Sequence, residues 1–182
     1  NLVPQQELAL VLRQAGLNEE AFVYYAEMGR IWESRGRLQE ALQCFRQASE
    51  CRPTDAQVSY SIFKILSTLK ASGEAVKIGE QVFPALSASG DRQAARAVGE
   101  ALVLWKPTDV DLRLRIAALC QDLGDAEACA RHLTAAIDHL PPDSSDIDAL
   151  ARKVLAVLPT RTDIRFKIER IYSQRRATRK KQ

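Results

Sequence analysis

The sequence predicts an all-α fold, a stack of about ten antiparallel helices. Three observations predict it. Apolar residues recur at helical spacing almost throughout, as in Leu38, Ala41, Leu42, Phe45 and Ala48, which fall at i, i+3, i+4, i+7 and i+10. Glycine and proline, 8 and 7 among 182 residues, sit mostly between such segments, where turns belong. Alanine and leucine dominate while aromatics make up only 6%, a balance that favours helix over strand.

The elements follow from the breaks. A helix over 4–15 ends at Gly16, and one over 18–35 ends at Gly36. The third, 38–51, closes at Pro53. The fourth, 55–71, opens on Thr54-Asp55, whose side-chain oxygens can accept from the unpaired N–H groups of the first turn, and ends before Gly73. The fifth, 74–88, ends at Gly90, and the sixth, 91–105, at Pro107. Thr108-Asp109 repeats the capping pattern before the seventh helix, 109–122, which ends at Gly124. Gly36, Gly73, Gly90 and Gly124 are suited to the left-handed conformation that terminates a helix. The eighth helix, 125–140, stops at Pro141. The ninth, 146–158, follows an acidic run from Asp143 to Asp148 whose carboxylates read as caps that also favour the helix dipole, and stops at Pro159. The tenth, 163–175, carries Ile164, Ile168, Ile171 and Tyr172 on one face, with Arg165, Lys167, Glu169, Arg170 and Gln174 largely off it, as a capping helix requires.

The chain also resembles itself. RGRLQEALQCFRQASECRPTD at 35–55 and SGDRQAARAVGEALVLWKPTD at 89–109 share Gly, Gln, Ala and the closing Pro-Thr-Asp without a gap. LGDAEACARHLTAAIDHLPPD at 123–143 keeps Gly124, Asp125, Ala136, Pro141 and Asp143 in register with one or both, and follows the second block by 34 residues. On these residues the chain resembles the tetratricopeptide repeat family. Residues 22–55 carry the pattern in Tyr25, Met28, Gly29, Trp32, Gly36, Leu38, Ala41, Phe45, Ala48 and Pro53. Residues 110–143 carry part of it in Ile116, Ala117, Gly124, Ala126, Leu133, Ala136 and Pro141, and residues 76–109 less of it. The resemblance implies a right-handed α-solenoid in which small residues let paired helices approach and large residues fill the grooves between them. The first two blocks lie 54 residues apart, one period plus 20, so one extra helix is expected between them, with 55–71 the candidate.

The family lines a concave groove with the first helix of each repeat. Carried over, the groove positions are Val23, Ala26, Arg30 and Glu33, then Lys77, Glu80, Pro84 and Ser87, then Asp111, Leu114, Ala118 and Gln121. The implied partner is a protein or peptide, a helical or extended segment laid in that groove. Ala26 and Arg30 stand where chaperone-tail adaptors carry part of a carboxylate clamp, so that clamp is absent. Trp105, at the end of a helix, reads as core or as an exposed anchor.

Chemistry is sparse. No GxxxxGK[ST], GxGxxG or HExxH occurs, so neither a catalytic constellation nor a cofactor is expected. His132 and His139 read as surface residues; Cys129 lies three positions from His132, but no two further ligands accompany them and no metal is expected. Cys44, Cys51, Cys120 and Cys129 form no CxxC and read as small buried hydrophobes in a reducing compartment.

The net charge of +3 is uneven. A domain over 1–174 is followed by a tail, 175–182, with five basic residues, Arg175, Arg176, Arg179, Lys180 and Lys181, and no acidic one. Taking those five from 26 basic residues leaves 21 against 23 acidic, so any affinity for nucleic acid or acidic surfaces resides in the tail. No stretch approaches the ~18 uncharged apolar residues of a membrane span, and no signal peptide is visible. Asn1 in place of Met reads as the start of a piece of a larger protein. The expectation is therefore an intracellular, non-catalytic scaffold or adaptor module within a larger protein or complex, cytoplasmic, or nuclear if the tail is an import signal. The alternative is a nucleic-acid-associated helical repeat that uses its tail.

Overall fold

Asp55, Asp91, Asp109 and Asp125 each begin a helix by accepting a hydrogen bond from the backbone N–H three residues on, at 2.8, 3.1, 3.0 and 3.0 Å. These caps satisfy donors that the first turn leaves without intrahelical partners. The computed structural model describes residues 3–141, 144–159, 162, 165–166 and 169–173. Among them lie nine named helices: α1 Val3–Gln14, α2 Asn18–Ser34, α3 Leu38–Cys51, α4 Ala56–Thr68, α5 Ser72–Ser89, α6 Arg92–Trp105, α7 Val110–Asp122, α8 Ala126–His139 and α9 Asp146–Val157. The described residues of the expected tenth helix are helical, with Ile171 and Tyr172 half-buried and Arg165, Glu169 and Arg170 exposed. Ile164, Ile168, Lys167 and Gln174 lie outside the described residues.

The turns give the architecture its period. Gly16, Gly36, Gly90 and Gly124 adopt φ of 78°, 73°, 83° and 74°, the left-handed region that glycine enters without a Cβ penalty. Between α4 and α5 that conformation falls on Lys70, at φ 57°, and not on Gly73, which lies inside α5. Lys70 stands 34 positions after Gly36, where a second repeat places its turn. The helix expected as an insertion, α4, is therefore the first member of a hairpin with α5, and the two pack as neighbours.

The chain divides into two compact units, 1–98 and 99–182, with the boundary inside α6. In the first, α1–α2, α2–α3, α3–α4 and α4–α5 are packed pairs. Polar contacts that skip one helix sort these into two layers. Arg13 of α1 meets Glu50 of α3 at 2.6 Å, and Arg46 of α3 meets Glu74 of α5 at 2.5 Å. On the other layer Lys64 of α4 meets Glu33 of α2 at 2.9 Å, and Gln57 of α4 donates to Asp91, the cap of α6, at 3.0 Å. The core between the layers follows the small-against-large logic of tetratricopeptide repeats. Gly29 of α2 lets the Phe45 ring of α3 come so close that a Cβ there would lie 2.7 Å from it. Ala21, Ala41 and Ala48 are fully buried, and Tyr25, Phe63, Leu66 and Phe83 are buried too.

In the second unit α7 packs on α8 and α8 on α9. Its core is Ile116, Cys120, Ala128, Leu133, Ala136, Ile147, Leu150 and Val154, all buried. The described residues are thus an all-helical, tetratricopeptide-like repeat fold. Cys44, Cys51, Cys120 and Cys129 take part in no disulfide, and all but Cys51 are buried.

Candidate functional site

The site that the repeat brings together lies in the second unit, on α7, α8 and α9. Asp109 fixes the start of α7, and the Leu112 N–H it accepts holds its carboxyl below the ordinary value of 3.8, with Lys106 adding to the same direction. From that start Leu114, Ala117, Ala118 and Gln121 share one face of α7, at i, i+3, i+4 and i+7. They line a cleft of about 120 Å³ together with Cys129 and Leu133 of α8 and Leu150 and Lys153 of α9. The floor is apolar: Ala117, Cys129 and Leu133 are buried. Burial pushes the Cys129 thiol up from its ordinary value, helped by Asp125 and opposed by Lys153, so it lines the cleft as a neutral thiol at neutral pH. Gln121 and Lys153 are exposed and supply polar groups at the rim.

Three of the four positions carried onto α7, Leu114, Ala118 and Gln121, therefore line one cleft. Asp111 does not line it; it is exposed, 3.9 Å from Arg115 one turn on. In the first unit Val23 is 56% exposed and Arg30 is exposed on α2, while Glu33 is engaged with Lys64. The Glu33–Lys64 pair makes α4 a neighbour of α2, a place that the sequence register assigned to α5. Lys77 and Glu80 are exposed on α5, in the layer of α3 and not that of α2. Ala26 is 1% exposed and belongs to the core, because it follows Tyr25 on the buried side of α2. Trp105 is half-buried. Arg175, Arg176, Arg179, Lys180 and Lys181 lie outside the described residues.

One arrangement the sequence reading missed. His132, expected at the surface, is 3% exposed. Its Nε2 is 3.1 Å from Glu100 Oε1, while its Nδ1 is buried with no hydrogen-bond partner. Cys120, fully buried, completes a group whose ligand atoms all lie within 4.8 Å of one another. The three residues come from α6, α7 and α8 at separations of 20 and 12 positions, so no local motif signals them. His139 is exposed, as expected.

Among the described residues no helix is long and apolar enough to cross a membrane. No family model matches the chain, and no curated protein sequence matches it. Solved structures of similar helical arrangement include MamA, at 10% identity over 87% of this chain and 94% of that one, with a TM-score of 0.40. YrrB, described as a TPR protein with an unusual peptide-binding site, is 14% identical over 84% of this chain and 94% of that one, with a TM-score of 0.35. A thermophilic TPR protein from Thermus thermophilus, TTC0263, is 17% identical over 83% of this chain and 98% of that one, with a TM-score of 0.33. The helices, turns and packing within each unit are those of tetratricopeptide-like helical hairpins.

Proposed function

We propose that the chain is a non-catalytic protein-interaction module whose second unit receives an apolar side chain of a partner segment in the cleft over α7, α8 and α9. One observation carries this reading: Leu114, Ala118 and Gln121, chosen from repeat register, line the same cleft. An apolar floor with a few polar groups at its rim is the usual form of a peptide-anchoring pocket. At about 120 Å³ it suits one aliphatic side chain and not a cofactor. The exposed Lys153 ammonium favours a partner with a carboxylate beside that anchor. In the first unit Val23, Arg30 and the Glu33–Lys64 pair offer further contacts on the α2–α4 layer, and exposed Lys77, Glu80 and Asp111 are left as secondary contacts on α5 and α7.

The test is Ala118→Arg. Ala118 is exposed, so the change leaves the core intact while filling the cleft and opposing Lys153. Proteins captured on the wild-type chain are expected to be lost on the variant at unchanged helicity; an unchanged set of captured proteins rejects the cleft as the binding site.

A second reading rests on the five uncompensated basic residues of 175–182 and takes nucleic acid as the partner of that segment. Deleting 175–182 is then expected to abolish nucleic-acid binding and its salt dependence. Binding that survives the deletion with the same salt slope rejects it.

A further inference from the structure

The cluster of Glu100, Cys120 and His132 plays no part in the interaction cleft, and its chemistry is distinct. Thiolate, imidazole and carboxylate together form a donor set that prefers zinc to magnesium or calcium, which take oxygen ligands. The three residues belong to consecutive helices, α6, α7 and α8, all within the second unit at these positions. Their ligand atoms lie within 4.8 Å of one another. Ligands on one zinc ion stand about 3 to 4 Å apart, given bonds of roughly 2.0 to 2.3 Å. All three meet one ion only if the set closes further, and Glu100, with 36% side-chain exposure, is the member nearest solvent.

The second observation is independent of the clustering. His132 is 3% exposed and its Nδ1 meets no hydrogen-bond partner. Native interiors seldom leave a buried ring nitrogen unmet. His132 Nε2 and Glu100 Oε1, 3.1 Å apart, already stand at the spacing of two ligands on one ion, so Nε2 is the nitrogen that faces the cluster. Arg131, 3.6 Å from Glu100 Oε1, is one competing cation. Its side chain is long and 67% exposed, so it gives way to a divalent ion more readily than a buried partner does.

We infer that Glu100, Cys120 and His132 form a zinc-binding site that fastens α6, α7 and α8 together. Cys120 Sγ–H loses its proton to solvent as the sulfur lone pair goes to the ion, neutral His132 donates a ring-nitrogen lone pair, and Glu100 a carboxylate oxygen. The fourth position faces the part-exposed Glu100 side and is filled by water. Cys120 is flanked on α7 by the cleft residues Ala117 and Gln121, and His132 precedes Leu133 on α8, so the ion holds in register the two helices that carry most of the cleft.

The experiment is a Co²⁺ titration of the full, reduced chain, read by thiolate-to-cobalt charge-transfer absorption and by displacement with Zn²⁺. One equivalent is expected to bind with a thiolate band. The band is lost in Cys120→Ser and kept in Cys129→Ser, which leaves the neighbouring thiol site intact. Where circular dichroism shows Cys120→Ser unfolded, Glu100→Gln decides: the change lies at a part-exposed position and is expected to weaken binding at least about tenfold at unchanged helicity. Absence of a thiolate band in the wild type overturns the assignment. So does a band that survives Cys120→Ser, disappears in Cys129→Ser, or is unaffected by Glu100→Gln.

Discussion

Gly29 and Phe45 meet across the α2–α3 hairpin with no room for a methyl group: a Cβ on Gly29 would stand 2.7 Å from the Phe45 ring. The ring is 1% exposed, so it has nowhere to go. Gly29→Ala is expected to destabilise the protein by about 1–3 kcal/mol through overpacking. Phe45→Leu in the Gly29→Ala background is expected to recover part of that loss, because the two residues share one contact and their effects are not additive. Urea unfolding of the four proteins in the cycle checks both statements.

Gly73 provides the opposite case. It lies in the first turn of α5, and a methyl group added there would meet nothing within 4 Å. Gly73→Ala is expected to stabilise by about 0.4–1 kcal/mol, chiefly by restricting the unfolded chain. A thermal or urea midpoint at or below that of the wild type contradicts this.

Lys70 holds a left-handed backbone, φ 57°, at the α4–α5 turn. Such a conformation costs a non-glycine residue about 1–2 kcal/mol. Lys70→Gly relieves it and is expected to raise stability by about 1 kcal/mol, less the entropy that glycine adds to the unfolded chain. Destabilisation by Lys70→Gly, measured by equilibrium unfolding, contradicts the placement of the turn on this residue.

Asp109 caps α7, and the Leu112 N–H it accepts lowers its carboxyl below 3.8. A carboxylate lowered in the folded state stabilises above its unfolded value and loses that contribution as pH falls through its folded value. Asp109→Ala is expected to cost about 1 kcal/mol at neutral pH. The gap between wild type and variant is expected to be constant above pH 3.8 and to narrow below it. Asp109→Asn keeps an acceptor and is expected to lose less. Unfolding curves at a series of pH values check the sign.

The helices are legible in the sequence because their spacing signals are local. Leu38, Ala41, Leu42, Phe45 and Ala48 announce α3, and Asp55 and Asp109 announce the starts of α4 and α7. The turn at Lys70 is not legible, because lysine gives no sign of a left-handed backbone while the nearby Gly73 does. That single residue shifts the register, and with it Lys77 and Glu80 move to the layer of α3. Leu114, Ala118 and Gln121 are legible as a set because they lie on one helix face within a repeat that carries part of the pattern. Their companions Leu150 and Lys153 come from α9, beyond any repeat block, and only folding brings them in. His132 escapes detection for the same reason: its partners are contributed by two other helices.

The cleft over α7, α8 and α9 is the place where a partner is expected to bind. Site-specific photo-crosslinking tests this most directly, with a photoreactive residue at Leu114, in the cleft, or at Asp138, an exposed position of α8 outside it. The predicted result is a crosslinked protein partner from position 114, absent from position 138 and suppressed by Ala118→Arg. Crosslinking of the same partner from 138 and not from 114, or crosslinking from 114 that Ala118→Arg leaves unchanged, contradicts it.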